Sequence, residues 1–361
     1  MIFPFLFNVL IISSHLGMRY NITIQEILAK TMQVEANSQE EAELTVRQWY
    51  RNSDVVLSEA DYVSTDIITE SEPYYKSPNN DFTLIQGDCV DTLSKFSFGF
   101  DMIFADPPYF LSGGGISVQS GKIVCVDKGK WDKPMAPEEM DAFNLRWLTA
   151  CREHMKENAT IWISGTHHNI FSVQQQLLKL GFKILNVITW AKTNPPPNIS
   201  CRYFTYSTEF IIWARKSPKV AHCFNYDLMK ELNGNKQMTD VWQLPAIGKW
   251  EKSCGKHPTQ KPLGVLARLI QASTSSGAWI LDPFSGSATT GIAANLLGRR
   301  YLGLEIEDEF LEMSKARRME LERPAIRNNY LERLAKARHV LPPDNFFVAG
   351  GDDLNYGVPW L

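Results

Sequence analysis

The residues best placed to do chemistry are Asp106, Pro107, Pro108 and Tyr109, which directly follow the apolar run 101–105. A carboxylate beside a backbone carbonyl can accept both N–H bonds of an amine whose lone pair is delocalised into an aromatic ring. Holding both hydrogens draws the nitrogen toward sp³ geometry and restores its nucleophilicity. Prolines fix the backbone so that the acceptors keep one direction, and a tyrosine ring can stack on a base taken out of its helix. The Asp106 side chain and the Pro107 carbonyl are therefore the expected acceptors, Pro108 the stiffener and Tyr109 the stacking platform. The competing reading is a strand-ending turn with a packed tyrosine, because short motifs recur by chance.

A second cluster runs from Asp282 through Pro283, Phe284, Ser285, Gly286, Ser287 and Ala288 to Thr289 and Thr290, after an apolar strand and at the start of a helical pattern. A glycine in a strand-to-helix turn lets a ligand approach the backbone, and a helix N-terminus favours a carboxylate there. The next strand, 301–305, ends in Glu305, where an acid can grip ribose hydroxyls. The absence of a Gly-x-Gly-x-x-Gly pattern argues against a dinucleotide. Just upstream, His257-Pro258-Thr259-Gln260-Lys261-Pro262 offers a lysine, a hydroxyl and an amide for the polar end of a small cofactor. Its closeness to the cofactor turn is what gives it meaning.

These clusters must be positioned by an alternation of strands and helices. Strands are expected at 82–86, 101–105, 159–163, 182–190, 210–214, 279–282 and 301–305, with helices over 174–180, 264–272 and 290–297 between them. That order is the mark of a mostly parallel sheet whose strand ends carry the ligand. The predicted organisation is a doubtful extension at 1–17, a small α+β unit at 18–70, a linker at 71–81, the α/β domain at 82–322 and a less structured tail at 323–361. In the small unit, strands are expected at 20–27, at Met32–Glu35, at Val55–Leu57 and at Tyr62-Val63. A helix is expected to start after Ser38, with Ala42, Val46 and Tyr50 on one face.

Charge is unevenly spread. The chain has 37 Lys and Arg against 40 Asp and Glu. Residues 35–72 carry ten acids against Arg47 and Arg51, whereas residues 183–261 carry twelve basic residues against five acids. A basic segment in a near-neutral chain suits a phosphate-facing surface, although a solvated basic face reads the same way. The target-recognition segment is placed at about 192–256, where cations interleave with aromatics such as Tyr203, Phe204 and Tyr206. Lys192 among those cations, with Asn198 and Arg202, are its candidate DNA contacts, the last two because the loop 194–198 with three prolines cannot be regular structure. His167 and His168, neighbours at a strand end, should point opposite ways and share no metal. No metal is expected. The six scattered cysteines lack a Cys-x-x-Cys pair, which fits a reducing cytoplasm. The apolar run 2–12 is too short to span a bilayer and lacks a basic flank, so a start at Met18 is preferred over a membrane anchor.

The motif order of Asp106-Pro-Pro-Tyr, a basic variable segment, His257-Pro-Thr-Gln-Lys-Pro and Asp282-Pro-Phe-x-Gly-Ser resembles the β-class amino DNA methyltransferases, in which the catalytic half precedes the cofactor half. Residues 104–112, 189–204 and 226–233 are similar to the DpnA-type adenine methylases of GATC restriction systems. The resemblance covers about residues 82–322. It implies a Rossmann-like S-adenosylmethionine-dependent fold, circularly permuted, with a mixed and mostly parallel sheet. It also implies S-adenosylmethionine as cofactor and the adenine of GATC as target, in duplex and also single-stranded DNA. By matching positions, Asp88 would meet the cofactor's adenine and Glu305 its ribose, while Lys261, on the chemistry of its own motif, could hold the methionine end. Asp282, Phe284, Ser285, Gly286, Thr289 and Thr290 would form the cofactor loop. Ala288 departs from the family's usual glycine, and its methyl group should narrow that loop only slightly. Residues 19–68 resemble the small DpnD/PcfM-like domain, whose acidity argues against phosphate contact. A homodimer is left open, and no membrane partner is expected.

Cytosine-N4 methylation uses the same chemistry, but enzymes of that type usually have Ser where Asp106 stands. RNA amino-group methylation and a non-catalytic DNA- or cofactor-binding protein are the other competing readings.

Overall fold

The computed structural model describes residues 21–340 apart from 37, 53, 59–60, 71–72, 96, 111–114, 120–121, 127–133, 199–200 and 256. The expected extension 1–17, the first residue of the strand expected at 20–27, and the chain after 340 lie outside the described residues. The chain forms two units, residues 1–72 and 73–361.

In the first unit β1 (Asn21–Leu28) and β2 (Tyr62–Glu70) pair antiparallel, with Asn21 opposite Glu70. Helix α1 (Gln39–Arg51) starts where Ser38, as expected, accepts a hydrogen bond from the Glu41 amide at 3.1 Å. The short strands expected at Met32–Glu35 and Val55–Leu57 do not form. Neither has a partner ladder, and the amides of Asp54 and Val55 turn back to the Trp49 carbonyl at the end of α1.

The second unit is built on a nine-stranded sheet. In chain order its elements are β3 (Tyr75–Lys76), β4 (Phe82–Gln86), α2 (Cys89–Leu93) and β5 (Phe100–Ala105), then the separate hairpin β6 (Gly115–Gln119) and β7 (Lys122–Val126). They continue with α3 (Pro137–Glu153), β8 (Met155–Gly165), α4 (Ile170–Lys179), β9 (Lys183–Lys192), β10 (Thr208–Arg215), α5 (Tyr226–Leu232) and β11 (Val241–Leu244). Last come α6 (Leu263–Ser273), β12 (Trp279–Asp282), α7 (Thr289–Leu296), β13 (Arg300–Glu305), α8 (Asp308–Glu320) and α9 (Pro324–Lys336).

The spatial order is β11-β9-β10-β8-β5-β12-β13-β4-β3. The five strands from β4 to β8 are parallel, while β10 runs against both β8 and β9. This is the mixed, mostly parallel sheet expected from the strand–helix alternation. Strands β12 and β13, late in the chain, fill the space between β4 and β5, and that insertion is the physical content of the permutation.

Both faces of the sheet are covered, which is why its central strands read as continuous apolar runs. Ile103, Ala105, Ile161 and Leu281 pack with Trp147, Leu148 and Cys151 of α3 and with Val173 and Leu177 of α4. Met102, Phe104 and Ile280 pack on the other face with α5, α6, α7, α8 and α9. There the Trp162 and Trp213 rings stack 4.5 Å apart.

Two boundaries differ from expectation. Residues 75–76, placed in a linker, pair antiparallel with β4, and Ser77 is buried with its hydroxyl on Asp81 at 2.8 Å. The less structured tail begins with a helix instead: Pro324 opens α9, which buries Tyr330 and Leu334 in the core. Strand periodicity could not show the first, and an amphipathic helix with only two buried anchors masked the second.

Candidate active site

The chain leaves β5 toward β8 on one side of the sheet, and leaves β12 toward β13 on the other. Between the carboxyl ends of β5 and β12 lies the switch point at which open α/β sheets hold ligands. Four acids stand along that edge: Asp88 after β4, Glu305 ending β13, Asp282 ending β12 and Asp106 after β5. All four line one cavity of about 220 Å³, together with Lys261 and Phe284.

At its inner end, Asp106 is held from two sides. Its Oδ1 accepts from the Tyr109 hydroxyl at 2.6 Å, and its Oδ2 meets Lys261 Nζ at 2.5 Å. Lys261 also donates to the Tyr109 oxygen at 3.0 Å and lies 3.8 Å from Glu209 Oε2. Glu209 Oε1 in turn pairs with Lys192 at 2.5 Å. Burial raises the Asp106 carboxyl above its ordinary range, with Lys261 drawing it back down. Burial opposes the charge on Lys261, but Asp106 and Glu209 outweigh it and hold the ammonium above its usual range. Tyr109 is buried, its hydroxyl also 3.3 Å from Ser164 Oγ, with Lys261 5.3 Å from the centre of its ring. Pro107 is buried and Pro108 lines the cavity.

The turn 282–290 is tied by its own side chains and by those of β13 and α8. Asp282 accepts from the Thr290 hydroxyl at 2.6 Å and from the Phe284 amide at 3.1 Å. Phe284 packs edge-on against Trp147 at 5.3 Å. Ser285 bonds the Tyr301 hydroxyl at 2.8 Å, and Thr289 accepts from Arg317 at 2.9 Å. Glu305 accepts from the Gly286 amide at 2.7 Å and from the amides of Ile306 and Glu307. Asp88 caps α2 through the Val90 amide at 2.9 Å while lining the cavity. These bonds hold the carboxylates in place around the cavity.

Gly286 has φ +51°, and a Cβ there would stand 2.9 Å from His257 Nε2. His257 forms the floor of the turn, edge-on to Phe310 at 4.2 Å. Burial pushes its imidazole down to about 3, so the ring stays neutral. Ala288 has φ +51° in the left-handed region. The departure from glycine therefore acts through the backbone, with a cost of about 1 to 2 kcal/mol for an L-residue, and not through the width of the loop. Phe110, His257, Phe310 and Glu209 are site components that sequence reasoning did not select. His257 could have been taken from its motif. Glu209 carries no local signal, because only the register of β10 brings it to Lys261.

The segment at 192–207 behaves differently from its expected role. Lys192 is half-buried and committed to Glu209, so it is part of the inner charge cluster and not an outward phosphate contact. Asn198 donates to the Tyr203 carbonyl at 2.5 Å, bracing its own loop. Arg202 is exposed. His167 and His168 lie in a turn, not at a strand end, with rings 3.7 Å apart. Among the described residues no group of three or more His, Cys, Asp or Glu is placed to hold a metal. Nor is any helix there long and apolar enough to cross a membrane.

A doubly wound, permuted sheet with an acid-lined switch point and an Asp-Pro-Pro-Tyr turn beside it defines an amino-group methyltransferase. The chain belongs to the DNA methylase family, which matches residues 100–316, and residues 20–65 match the DpnD/PcfM-like proteins. It is 56% identical over 266 residues to the type II methyltransferase M2.MboI of Moraxella bovis, covering 73% of this chain and 97% of that one. It is 55% identical over 249 residues to the type II methyltransferase M2.DpnII of Streptococcus pneumoniae, covering 68% and 92%. Among solved structures, the M1.HpyAVI–SAM complex superposes with a TM-score of 0.51 at 26% identity over 65% of this chain and 98% of that one. The cytosine-N4-specific PvuII DNA methyltransferase superposes with a TM-score of 0.55 at 16% identity over 74% and 95%, a likeness of fold alone.

S-Adenosylmethionine is the cofactor, and the donor set suits it. The cavity joins carboxylates able to face its cations with the apolar Phe284 and Phe310, which suit its adenine and the carbons around its sulfonium. Burial pushes the Asp282 carboxyl up to about 7, which gives a pH signature. An unfolded Asp titrates near about 3.9, so between roughly pH 4 and pH 7 the cofactor-free native state binds a proton that the unfolded chain has lost. Stability from this group is present below the unfolded value and declines as pH rises to about 7. Asp282→Asn should remove that slope: the melting temperature of the variant relative to wild type rises from pH 4.5 to pH 8, while its cofactor affinity falls. A difference that stays flat across that range in thermal melts would contradict the assignment.

Proposed function

We propose that the chain transfers the methyl group of S-adenosylmethionine to the N6 amine of adenine, in GATC, as the modification enzyme of a restriction system. The observation that carries this reading is an aspartate, Asp106, at the head of the Pro-Pro-Tyr turn, lining the cavity where β5 ends. The type II relatives at 54–56% identity support the restriction context. The cofactor supplies a sulfonium-activated methyl group. Asp106 and the Pro107 carbonyl accept the two amine hydrogens, the amine attacks the methyl carbon as its bond to sulfur breaks, and the surplus proton leaves through Asp106 to water. No cysteine nucleophile is needed, because nitrogen accepts the methyl. The protein contributes orientation and fixed charge. The roles of Asp88, Glu305 and the turn 282–290 in holding the cofactor, the use of duplex and single-stranded DNA, Arg202 as a phosphate contact and a cytoplasmic location belong to the same proposal.

Lys261 holds Asp106 Oδ2 and competes with an incoming amine for that oxygen. Glu209 is the alternate acceptor, already 3.8 Å from Nζ and anchored by Lys192. Glu209→Gln should therefore lower kcat by about 10- to 100-fold, roughly 1.4 to 2.7 kcal/mol, with the cofactor Kd unchanged. A merely structural role would instead lower the melting temperature and leave kcat of the folded fraction intact.

The reading as a whole is tested by methylating a defined plasmid and mapping the modified bases by sequencing. N6-methyladenine confined to GATC is expected. Modified cytosine alone would overturn the adenine assignment, and no mark at all would overturn catalysis.

A further inference from the structure

The loop joining β9 to β10 carries side chains that the chemistry above does not use. Phe204 is 96% exposed, with Tyr203 and Tyr206 beside it at 58% and 59%. Leaving one phenylalanine in water forgoes about 1.5 to 3 kcal/mol of burial. Pro195, Pro196 and Pro197 stiffen its ascent. Cys201 takes a left-handed turn at φ +52°, and Asn198 ties the descending arm through the Tyr203 carbonyl at 2.5 Å. Tyr206 stacks on His167 with centroids 4.7 Å apart and planes 20° apart, and Tyr203 lies 5.5 Å from Tyr206.

The place of this aromatic group is set by register. Phe210 of β10 pairs with Gly165 of β8, so Tyr206 and His167 rise from the same sheet edge. Ser164, three residues before His167, touches the Tyr109 hydroxyl at 3.3 Å. The exposed rings therefore follow the same ends of β8 and β10 from which Ser164 reaches the Tyr109 hydroxyl.

Asp106 is itself deep, with a side chain only 12% exposed. A base can reach it only by leaving the duplex stack, and the step it vacates loses its stacking on both sides. Apolar side chains can fill or wedge open such a step. We propose that Phe204 enters the duplex at the step vacated by the target base, with the Tyr203, Tyr206 and His167 stack as its rigid footing. This inference rests on the adenine-methylation reading above, and its partner is duplex DNA.

A wedge matters only where a stack must be opened. Initial rates should be compared for wild type, Phe204→Ala and Phe204→Trp on three substrates: an intact duplex, the same duplex with the target adenine opposite an abasic site, and the single strand. For Phe204→Ala, kcat/KM on the intact duplex should fall by about 30-fold (roughly 2 kcal/mol). On the abasic duplex it should stay within about threefold of wild type, with any single-strand activity equally preserved. Phe204→Trp should keep most of the duplex activity. An equal loss on intact and abasic duplexes would make Phe204 a general DNA contact, and no loss on the intact duplex would remove it from the mechanism. Either result overturns the wedge while wild-type adenine methylation stands. Wild type failing to mark adenine in any substrate would instead bring down the reading beneath it.

Discussion

Asp106→Ala should reduce methyl transfer by at least about 1,000-fold, roughly 4 kcal/mol, while the cofactor Kd stays within about tenfold, roughly 1.4 kcal/mol. In the proposed mechanism the carboxylate is the acceptor that localises the amine lone pair, and its contribution exists only as the nitrogen becomes tetrahedral. The cofactor turn does not depend on it: Asp282, Ser285 and Glu305 are held by Thr290, Tyr301 and Gly286. Lys261 keeps Glu209 and the Tyr109 hydroxyl as neighbours after the substitution, so the buried ammonium is not stranded. Single-turnover transfer assays and calorimetric titration with the cofactor separate the two quantities. Parallel loss of both would make Asp106 a structural residue.

The second large effect lies at Gly286. Its φ of +51° disfavours any L-residue, and a Cβ would meet the His257 ring at 2.9 Å, with His257 itself wedged against Phe310. Gly286→Val should therefore weaken cofactor binding by more than about 100-fold, roughly 2.7 kcal/mol. Cofactor-independent DNA binding should change little, because the loop proposed to meet DNA joins other strands, β9 and β10. Calorimetry and a gel-shift assay on the same preparation check this. Unchanged cofactor affinity would show that the ligand does not pass over this turn.

Much of the molecule was legible in its sequence because the parallel strands are buried on both faces and end in acids. Asp88, Asp106, Asp282 and Glu305 stand in separate sequence segments, yet the strand order places all four along one cavity. The charge cluster behind Asp106 was not legible. Lys192 looked like a phosphate contact because a lysine before a proline-rich loop carries no sign of its partner. That partner, Glu209, faces it only through the antiparallel pairing of β9 with β10. Ala288 misled for a related reason: a residue type reports its size, and only the backbone torsion reports why glycine is usual there. Residues 75–76 and α9 were missed because a two-residue edge strand and a helix with two anchors leave almost no periodicity to read.

The most direct test is a crystal structure of the protein with a non-reactive cofactor analogue and a GATC duplex. Expected there is an adenine turned out of the helix, its N6 within hydrogen-bond distance of both the Asp106 carboxylate and the Pro107 carbonyl, and Lys261 shifted toward Glu209. An occupied cofactor site in which Asp106 still faces Lys261 and Tyr109, with no room for a base between it and the sulfur, would contradict the mechanism.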